Sequence, residues 1–599
     1  MSMSKYVFKE ASGGKSHVGN KSAADRAKEF PSVLHSDGGK LFCSICNVLL
    51  DHKRLSTIKD HLNSQKHKAR SVQHTSRLAG TSKQTTIGTS FKKESLSAER
   101  KIVSQDLVKA CVSANIPLTK LDNSEFRSFL NKHVVNGGSI PSHSQLRKEH
   151  LPALHAEYQG KLMTELEGKQ IAIVTDETTD VEMRYVLNII FIPLNVHEGK
   201  LQPFLVDTVM LEKTNSCTVA QSVIKAVSNY NIDYNNVLGF VTDNAAYMLK
   251  AYKDTLNGVF PHCIHITCIA HILSLVGDVW RKTFKDVDAF VSAMKMLFCN
   301  APARKARFMN YLRDRGLEVK APVIPVIVRW NSWFQAVMYH DKITLEVYRS
   351  FLEEELQHTS VPSNALAHVI DVMQNDVNQK KLSACLKFIA EMCQKIVQLL
   401  TEFESQSPKA TEVYDTLVDL KAYLELQSKA DHSHYLNEVP AESSVSVKQL
   451  FKIVFISSLE KLAKYQSAQG QPGWNFLKYV RIFSPNKALL LSHNFNNYVG
   501  VLSLLASCGE VEFATYIGIL RDSDCLDVDP FQFWDSIKGR CPVLAGIARA
   551  YLCIPTNSVD CERSFSFYKD ILSDNRRNLL PENIKMLNML HFNTSLYKE

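Results

Sequence analysis

Four residues near the N-terminus have the types and spacing of a zinc ligand set. Two residues separate Cys43 from Cys46, fourteen more lead to His61, and five more to His67. Thiolate sulfur and imidazole nitrogen together hold Zn²⁺ tetrahedrally. A unit this short needs its metal in order to fold, so zinc here would be structural. A second group, Cys263, His265, Cys268 and His271, admits either another zinc site or buried packing; small buried thiols favour packing. Far from both groups lie carboxylates of another kind. Asp176 and Asp243 each follow a run of apolar residues, where a charge is costly without a purpose. Glu562 stands in a later helical segment that Ser558 is positioned to cap. Carboxylates converging on two divalent cations about 3.5–4 Å apart perform phosphodiester chemistry, and Mg²⁺ needs few of them because it keeps several waters. Glu177, Asp180 and Asp560 are near enough in sequence to be alternatives to the intended acids.

The elements that must position the first group are short. Gly39-Lys-Leu-Phe42 reads as a strand leading into Cys43, with Phe42 able to pack beneath the metal. Leu55 to Arg70 reads as one helix, with Leu55, Ile58 and Leu62 at core-facing spacing. Lys53, Arg54, Lys59, Lys66, Lys68 and Arg70 decorate the same stretch, where basic side chains reach phosphates and guanine edges. The charge distribution agrees. Residues 1–110 hold 20 Lys and Arg against 9 Asp and Glu, whereas the remaining 489 hold 50 against 52. The basic excess therefore sits where the finger is, and phosphate neutralisation with counterion release is its expected use.

The acids need a sheet. Ile171 to Val174 is a short apolar run ending at Asp176, followed by strand-like runs at Tyr185–Ile192 and Phe204–Leu211. Ser216 to Val227 is helical, with Val219, Val223 and Val227 on one side; Val237–Val241 is a fourth strand ending at Thr242-Asp243. Cys263 to Cys268 is a fifth extended run before a helix from Ile269. The order β-β-β-α-β-α-β-α is that of an RNase H-like sheet, in which acids lie on the first strand, at the end of the fourth and on a late helix. Residues 280–540 read as helical throughout, with a polar middle at 405–445 suited to long loops. The expected fold class is thus multidomain: a small ββα zinc finger, then an α/β RNase H-like domain interrupted by a large all-α insertion. The segments are a basic flexible N-terminus (1–30), the finger (31–72), a Ser/Thr/Lys/Gly-rich linker (73–100), a helical region (101–168), the first part of the sheet domain (169–280), the insertion (281–540), and a C-terminal segment completing the core (541–599). The start of the chain lacks an apolar signal segment and no apolar run approaches the length of a membrane span, while the 14 cysteines follow no framework spacing. An intracellular protein without membrane partners is expected.

Two resemblances sharpen these expectations. The stretch from Leu34 through Arg70, with LHSDGGKLFCSICNVLLDHKR and KDHLNSQKHK, resembles the family of the CGG triplet repeat-binding protein, whose finger is of the zinc BED type. The likeness continues through VKACVSANIPL and HVVNGGSIPSHSQLRKEHLP, over roughly residues 30–155. It implies a nuclear location, binding to double-stranded DNA such as GC-rich repeats, and effects on transcription. From about 110 to 595 the strings VTDETTDVEMRYVLNIIF, VTDNAAYMLKA, CIAHILSLV, RWNSWF and SVDCERSFSFYKDILSDNRRNLLPENI resemble the hAT transposase family in order and spacing.

That second resemblance implies Asp176, Asp243 and Glu562 as catalytic acids with Mg²⁺ or Mn²⁺, and transposon ends as substrate. Cys268 and His271 match the family's Cys-x-x-His motif. Arg329 and Trp330 match its Arg-Trp motif, where an indole can stack on a base extruded near the cut. The last 40 residues match its dimerisation region, implying a homodimer or higher homo-oligomer. The resemblances leave two functions open: an active transposase, or a catalytically silent DNA-binding regulator descended from one.

Overall fold

The computed structural model describes residues 21–78, 87–135, 137–326, 331–357, 363–522, 528–572 and 579–594, with side chains omitted at 72–97. It divides into two compact units, Met1–Glu99 and Arg100–Glu599.

The N-terminal unit is a small antiparallel sheet with helices. Strands β1 (Leu34–Asp37), β2 (Lys40–Cys43) and β3 (Val48–Leu50) pair in that order, where a ββα plan expects two. Gly38 and Gly39, at φ of 51° and 75°, form the tight turn between β1 and β2. A helix at Ala23–Glu29 precedes the sheet. Ser22 caps it, Ala23 is buried against Leu34 and Leu41, and Arg26 is buried with its Nε donating to the His52 carbonyl. Part of the stretch expected to be a flexible tail therefore belongs to the core of the N-terminal unit. The long helix expected from Leu55 to Arg70 is two, Leu55–Asn63 and Gln65–Leu78. Ser64 breaks it: its backbone is extended, its hydroxyl donates to the His61 carbonyl, and its oxygen accepts the His67 N–H. Phe42 does not pack beneath the metal site. Strand alternation sends Leu41 and Cys43 inward and Phe42 outward, onto the His35 ring at 5.7 Å.

The linker expected at 73–100 contains described helix on both sides of residues 79–86, which lie outside the described residues. The second of these helices, Ile87–Ser113, is favoured by the Lys, Glu, Leu, Ala and Arg residues of 92–101.

The larger unit is built on a five-stranded mixed sheet. Its strands are β4 (Ile171–Thr179), β5 (Tyr185–Pro193), β6 (Phe204–Leu211), β7 (Val237–Thr242) and β8 (Ile264–Thr267), in the order β6-β5-β4-β7-β8. β5 runs antiparallel to both of its neighbours, β4 and β6; β7 runs parallel to β4 and β8 parallel to β7. Alternation along β4 and β5 divides the core in two. Ala172, Val174, Val186 and Ile190 face the helical block, whereas Ile171, Ile173, Leu187 and Ile189 face the helices at 151–166 and 216–229.

Every described element from Ile269 to Leu552 is helical, and this block shares one continuous core with the sheet. The polar stretch at 405–445 is not mainly loop. It contains the Val413–Lys429 helix, whose Val413, Leu417, Leu420 and Leu424 form a buried stripe. No helix among the described residues is long and apolar enough to cross a membrane.

On each edge strand a side-chain amide pairs with the backbone of one residue. On β8, the Gln471 amide donates to the Thr267 carbonyl at 2.8 Å and accepts the Thr267 N–H at 2.8 Å. On β6, the Asn593 amide does the same for Leu205, at 2.8 and 2.9 Å. Gly473 lets this part of the chain lie so near β8: a Cβ there would meet the His265 carbonyl oxygen at 2.9 Å.

Candidate functional site

In the N-terminal unit the four sequence-predicted ligands come together. The ligand atoms of Cys43, Cys46, His61 and His67 all lie within 4.8 Å of one another. The Nδ1 of His67 is 3.5 Å from Cys43 Sγ and 3.4 Å from Cys46 Sγ. A tetrahedron with Zn–S of about 2.3 Å and Zn–N of about 2.0–2.1 Å has S···N edges of about 3.5 Å. The Nε2 of His61 is buried with no hydrogen-bond partner, an orphan that a metal would satisfy. Burial pushes the Cys43 thiol up and the His67 imidazole down; His67 is therefore neutral, the form that ligates. The donor set and its spacing are compatible with structural zinc.

Lys53, Arg54, Lys59, Lys66 and Lys68 are all exposed around this centre. Arg70 is different: its guanidinium donates to the Cys46 carbonyl at 3.2 Å, bracing the loop that carries the second cysteine.

In the larger unit the structure brings Asp176, Asp243 and Glu562 into one electrostatic environment. Asp176 lies inside β4, not at its end, because β4 continues to Thr179 along β5. What ends before it is the pairing with β7, whose last partners are Val174 and Val241. Asp243 immediately follows β7. Glu562 is in the first turn of the Val559–Ile571 helix, packed on β4 and β5. Burial raises the Asp176 carboxyl well above the usual range, and the charges of Asp243 and Glu562 push it further. Burial also raises Asp243 and Glu562. Among the described residues no ion pair neutralises any of the three; Asp176 and Asp243 each accept a nearby backbone N–H, from Glu177 and Ala245.

The neighbouring acids are otherwise engaged. Asp180 is buried, paired with Arg184 at 2.7 Å and accepting from the Tyr568 hydroxyl at 2.9 Å. Asp560 is buried and held by Gln406 and Arg563. Glu177 accepts from the Tyr247 hydroxyl at 2.9 Å.

Cys268 and His271 sit beside this cluster. The Cys268 sulfur is buried and accepts two backbone N–H groups, from His271 at 3.4 Å and Ser558 at 3.3 Å. It thereby joins the helix after β8 to the start of the helix bearing Glu562. Burial lowers the His271 imidazole while the Asp243 charge opposes that shift. Ser558 does not cap the late helix with its side chain; the Asn557 side-chain Oδ1 accepts the Val559 N–H instead. Among the described residues Cys43, Cys46, His61 and His67 are the one group of three or more Cys, His, Asp or Glu close enough to share a metal ion; Cys263, His265, Cys268 and His271 do not gather in this way. His265 is buried, held at about 3 by desolvation, and bonded to Thr242. Arg329 and Trp330 lie outside the described residues.

Sequence reasoning missed Asn188, which lies directly across β4 and β5 from Asp176 and donates to Ser564 Oγ at 2.7 Å. The available signal was its polarity inside the apolar run Val186–Ile192.

Three family models match the chain: the CGGBP1 N-terminal domain over residues 18–73, the CGGBP1 helical domain over 94–153, and the hAT family C-terminal dimerisation region over 513–594. The chain is 47% identical over 129 residues to CGG triplet repeat-binding protein 1 of Homo sapiens, a match covering 21% of this chain and 77% of that protein. The Mus musculus protein gives the same figures, 47% over 129 residues. The chain therefore belongs to the CGG triplet repeat-binding protein family through its N-terminal quarter, and its C-terminal part is similar to the hAT family dimerisation region.

Proposed function

We propose that this chain is a nuclear, transposase-derived DNA-binding protein that engages double-stranded DNA through a zinc-stabilised BED-type finger. We further propose that it cuts and joins DNA at Asp176, Asp243 and Glu562. The observation that supports the catalytic part is that the charges of Asp243, just after β7, and of Glu562, on a late helix, both act on the buried Asp176 carboxyl of β4. The strand order β6-β5-β4-β7-β8, with the first three antiparallel and the last two parallel, supports reading the sheet as RNase H-like. In that reading residues 169–280 and 541–599 form one core and 281–540 an all-α insertion.

The donor sets separate two metals by chemistry. Sulfur and nitrogen at Cys43, Cys46, His61 and His67 suit Zn²⁺, whereas three carboxylates suit Mg²⁺ or Mn²⁺. Asp176, Asp243 and Glu562 would hold the divalent ions, which when bound activate a water or 3′-hydroxyl and stabilise the leaving oxygen. The chain's own part is to hold these carboxylates ionisable and unpaired while Arg184, Tyr568, Gln406 and Arg563 occupy the neighbouring acids. Lys53, Arg54, Lys59, Lys66 and Lys68 supply exposed positive charge for phosphates, with Arg329 and Trp330 assigned to DNA contact near the cut. Dimerisation through the hAT region would raise the effective concentration of a second finger at paired sites.

The second reading, a regulator that binds DNA without cutting it, is favoured by the 47% identity to a protein named for binding CGG triplet repeats. GC-rich repeats are its natural substrate, transposon ends that of the first. The deciding experiment incubates the zinc-loaded chain with DNA from the flanks of its own gene, with Mg²⁺, Mn²⁺ or neither. Products requiring both metal and Asp176, judged against Asp176→Asn, establish the enzyme. Bound but uncut DNA, with binding lost in Cys43→Ser, establishes the regulator.

A further inference from the structure

The helix bearing Glu562 is fastened to the sheet on both sides of that residue. Before it, the Ser558 N–H goes to the buried Cys268 sulfur. After it, Ser564 Oγ accepts from Asn188 Nδ2 at 2.7 Å, with both residues 0% exposed. Asn188 is the register partner of Asp176 in the antiparallel β4–β5 pair. Side chains directly opposite one another in such a pair lie on the same sheet face. The placement of Val186 and Ile190 in the same core as Ala172 and Val174 agrees. One amide thus stands across from the first acid and grips the helix two residues beyond the third.

The cost of that amide is visible. Its carbonyl oxygen, Oδ1, is buried without a hydrogen-bond partner, a penalty of the kind an apolar residue of the same shape would avoid. Its neighbours along β5, Val186, Leu187, Ile189 and Ile190, are fully buried aliphatics, so packing alone gives no reason for a polar residue here. Ser564 in turn donates to the Cys561 carbonyl at 2.6 Å, which leaves its oxygen oriented to accept from Asn188.

We propose that Asn188, through Ser564, is a positioning residue that fixes the Glu562 carboxylate relative to Asp176 and so sets the affinity of the acidic site for divalent cations. This rests on reading Asp176, Asp243 and Glu562 as a cation site. Asn188 touches neither cation nor DNA; it acts by holding the helix at one height over β4. Outer-shell partners of this sort commonly change metal affinity by about 10–100-fold when removed.

The test is a Mn²⁺ titration of the full zinc-loaded chain, following free Mn²⁺ by electron paramagnetic resonance, with the thermal midpoint measured in parallel. Wild type should bind Mn²⁺ at a site that Asp176→Asn abolishes. Asn188→Leu and Ser564→Ala should each raise the half-saturating Mn²⁺ about tenfold, and the double variant should go no further, since both cut the same tether. Ser564→Ala removes one oxygen and keeps the answer accessible if the Asn188 variant folds poorly. Wild-type Mn²⁺ affinity in well-folded single variants overturns the positioning role while leaving the cation site standing. Wild type that shows no Mn²⁺ binding dependent on Asp176 overturns the cation site and the inference with it.

Discussion

Asp176 and Asp243 stand level with each other, each two residues beyond Val174 and Val241, the last pair joining β4 to β7. The β4–β7 pairing ends there. Without a cation these acids are a liability, because burial and the charges of Asp243 and Glu562 raise the Asp176 carboxyl. Asp176→Asn should therefore raise the melting midpoint of the metal-free chain at neutral pH by a few degrees, while abolishing any metal-dependent cleavage. Calorimetry with and without chelator checks it; a lowered midpoint would show that the acid stabilises its surroundings.

Removal of zinc should unfold the N-terminal unit and spare the other. Structural zinc contributes about 10–16 kcal/mol in finger peptides, more than a core built on Leu34, Leu41, Leu50 and Ile58 can replace. A strong chelator, or Cys43→Ser, should abolish DNA retention and collapse amide dispersion for residues of this unit in NMR spectra. The larger unit should melt as before.

The exposed lysines on the finger should act through charge. Lys59→Ala and Lys66→Ala should each weaken binding across DNA sequences and flatten the dependence of log K on log salt by about one unit. A loss confined to one DNA sequence would instead assign that lysine to base contact.

Acid should destabilise the larger unit through two buried histidines. Desolvation lowers His340 to about 3 and His155 to about 4, from an ordinary 6.5. The unfolded chain takes up their protons first, so their contribution is complete above pH 6.5 and is lost as pH falls toward 4 and 3. In chemical denaturation at pH 7 and pH 5, His340→Gln should lose less stability between the two than wild type does. Equal slopes would mean that His340 protonates as readily folded as unfolded.

Gln471→Leu should cost about 2–4 kcal/mol, because it orphans both the N–H and the C=O of buried Thr267 while preserving volume. Urea denaturation of the full chain measures it, and a loss below about 1 kcal/mol would mean water replaces the amide.

What the sequence revealed and what it hid follow one physical division. Ile171–Val174 and Val237–Val241 could be read as strands because both their faces are buried and every residue must be apolar. The grouping of Cys43, Cys46, His61 and His67 was legible because a tetrahedral donor set imposes short-range spacing. The helix at Val413–Lys429 was hidden by its charged surface, although its buried stripe keeps helical period. The Ser64 break and the Asn557 cap were hidden because a one-residue change of backbone direction leaves little trace in composition. Asn188, Gln471 and Asn593 act on partners 376, 204 and 388 residues away in the chain, a distance over which no local pattern can speak.

Those last two separations bear on how the protein is made. Leu205 on β6 leaves the ribosome 388 residues before Asn593, the side chain that closes it. At about 5–20 residues per second, that is on the order of 20–80 s of synthesis with an open strand edge. Thr267 on β8 waits through 204 residues for Gln471. The nascent sheet thus spends most of its translation able to pair with a neighbouring chain. A transcript truncated before residue 593 would make that exposure permanent, so shortened forms of this protein are expected to depend on chaperones or to aggregate.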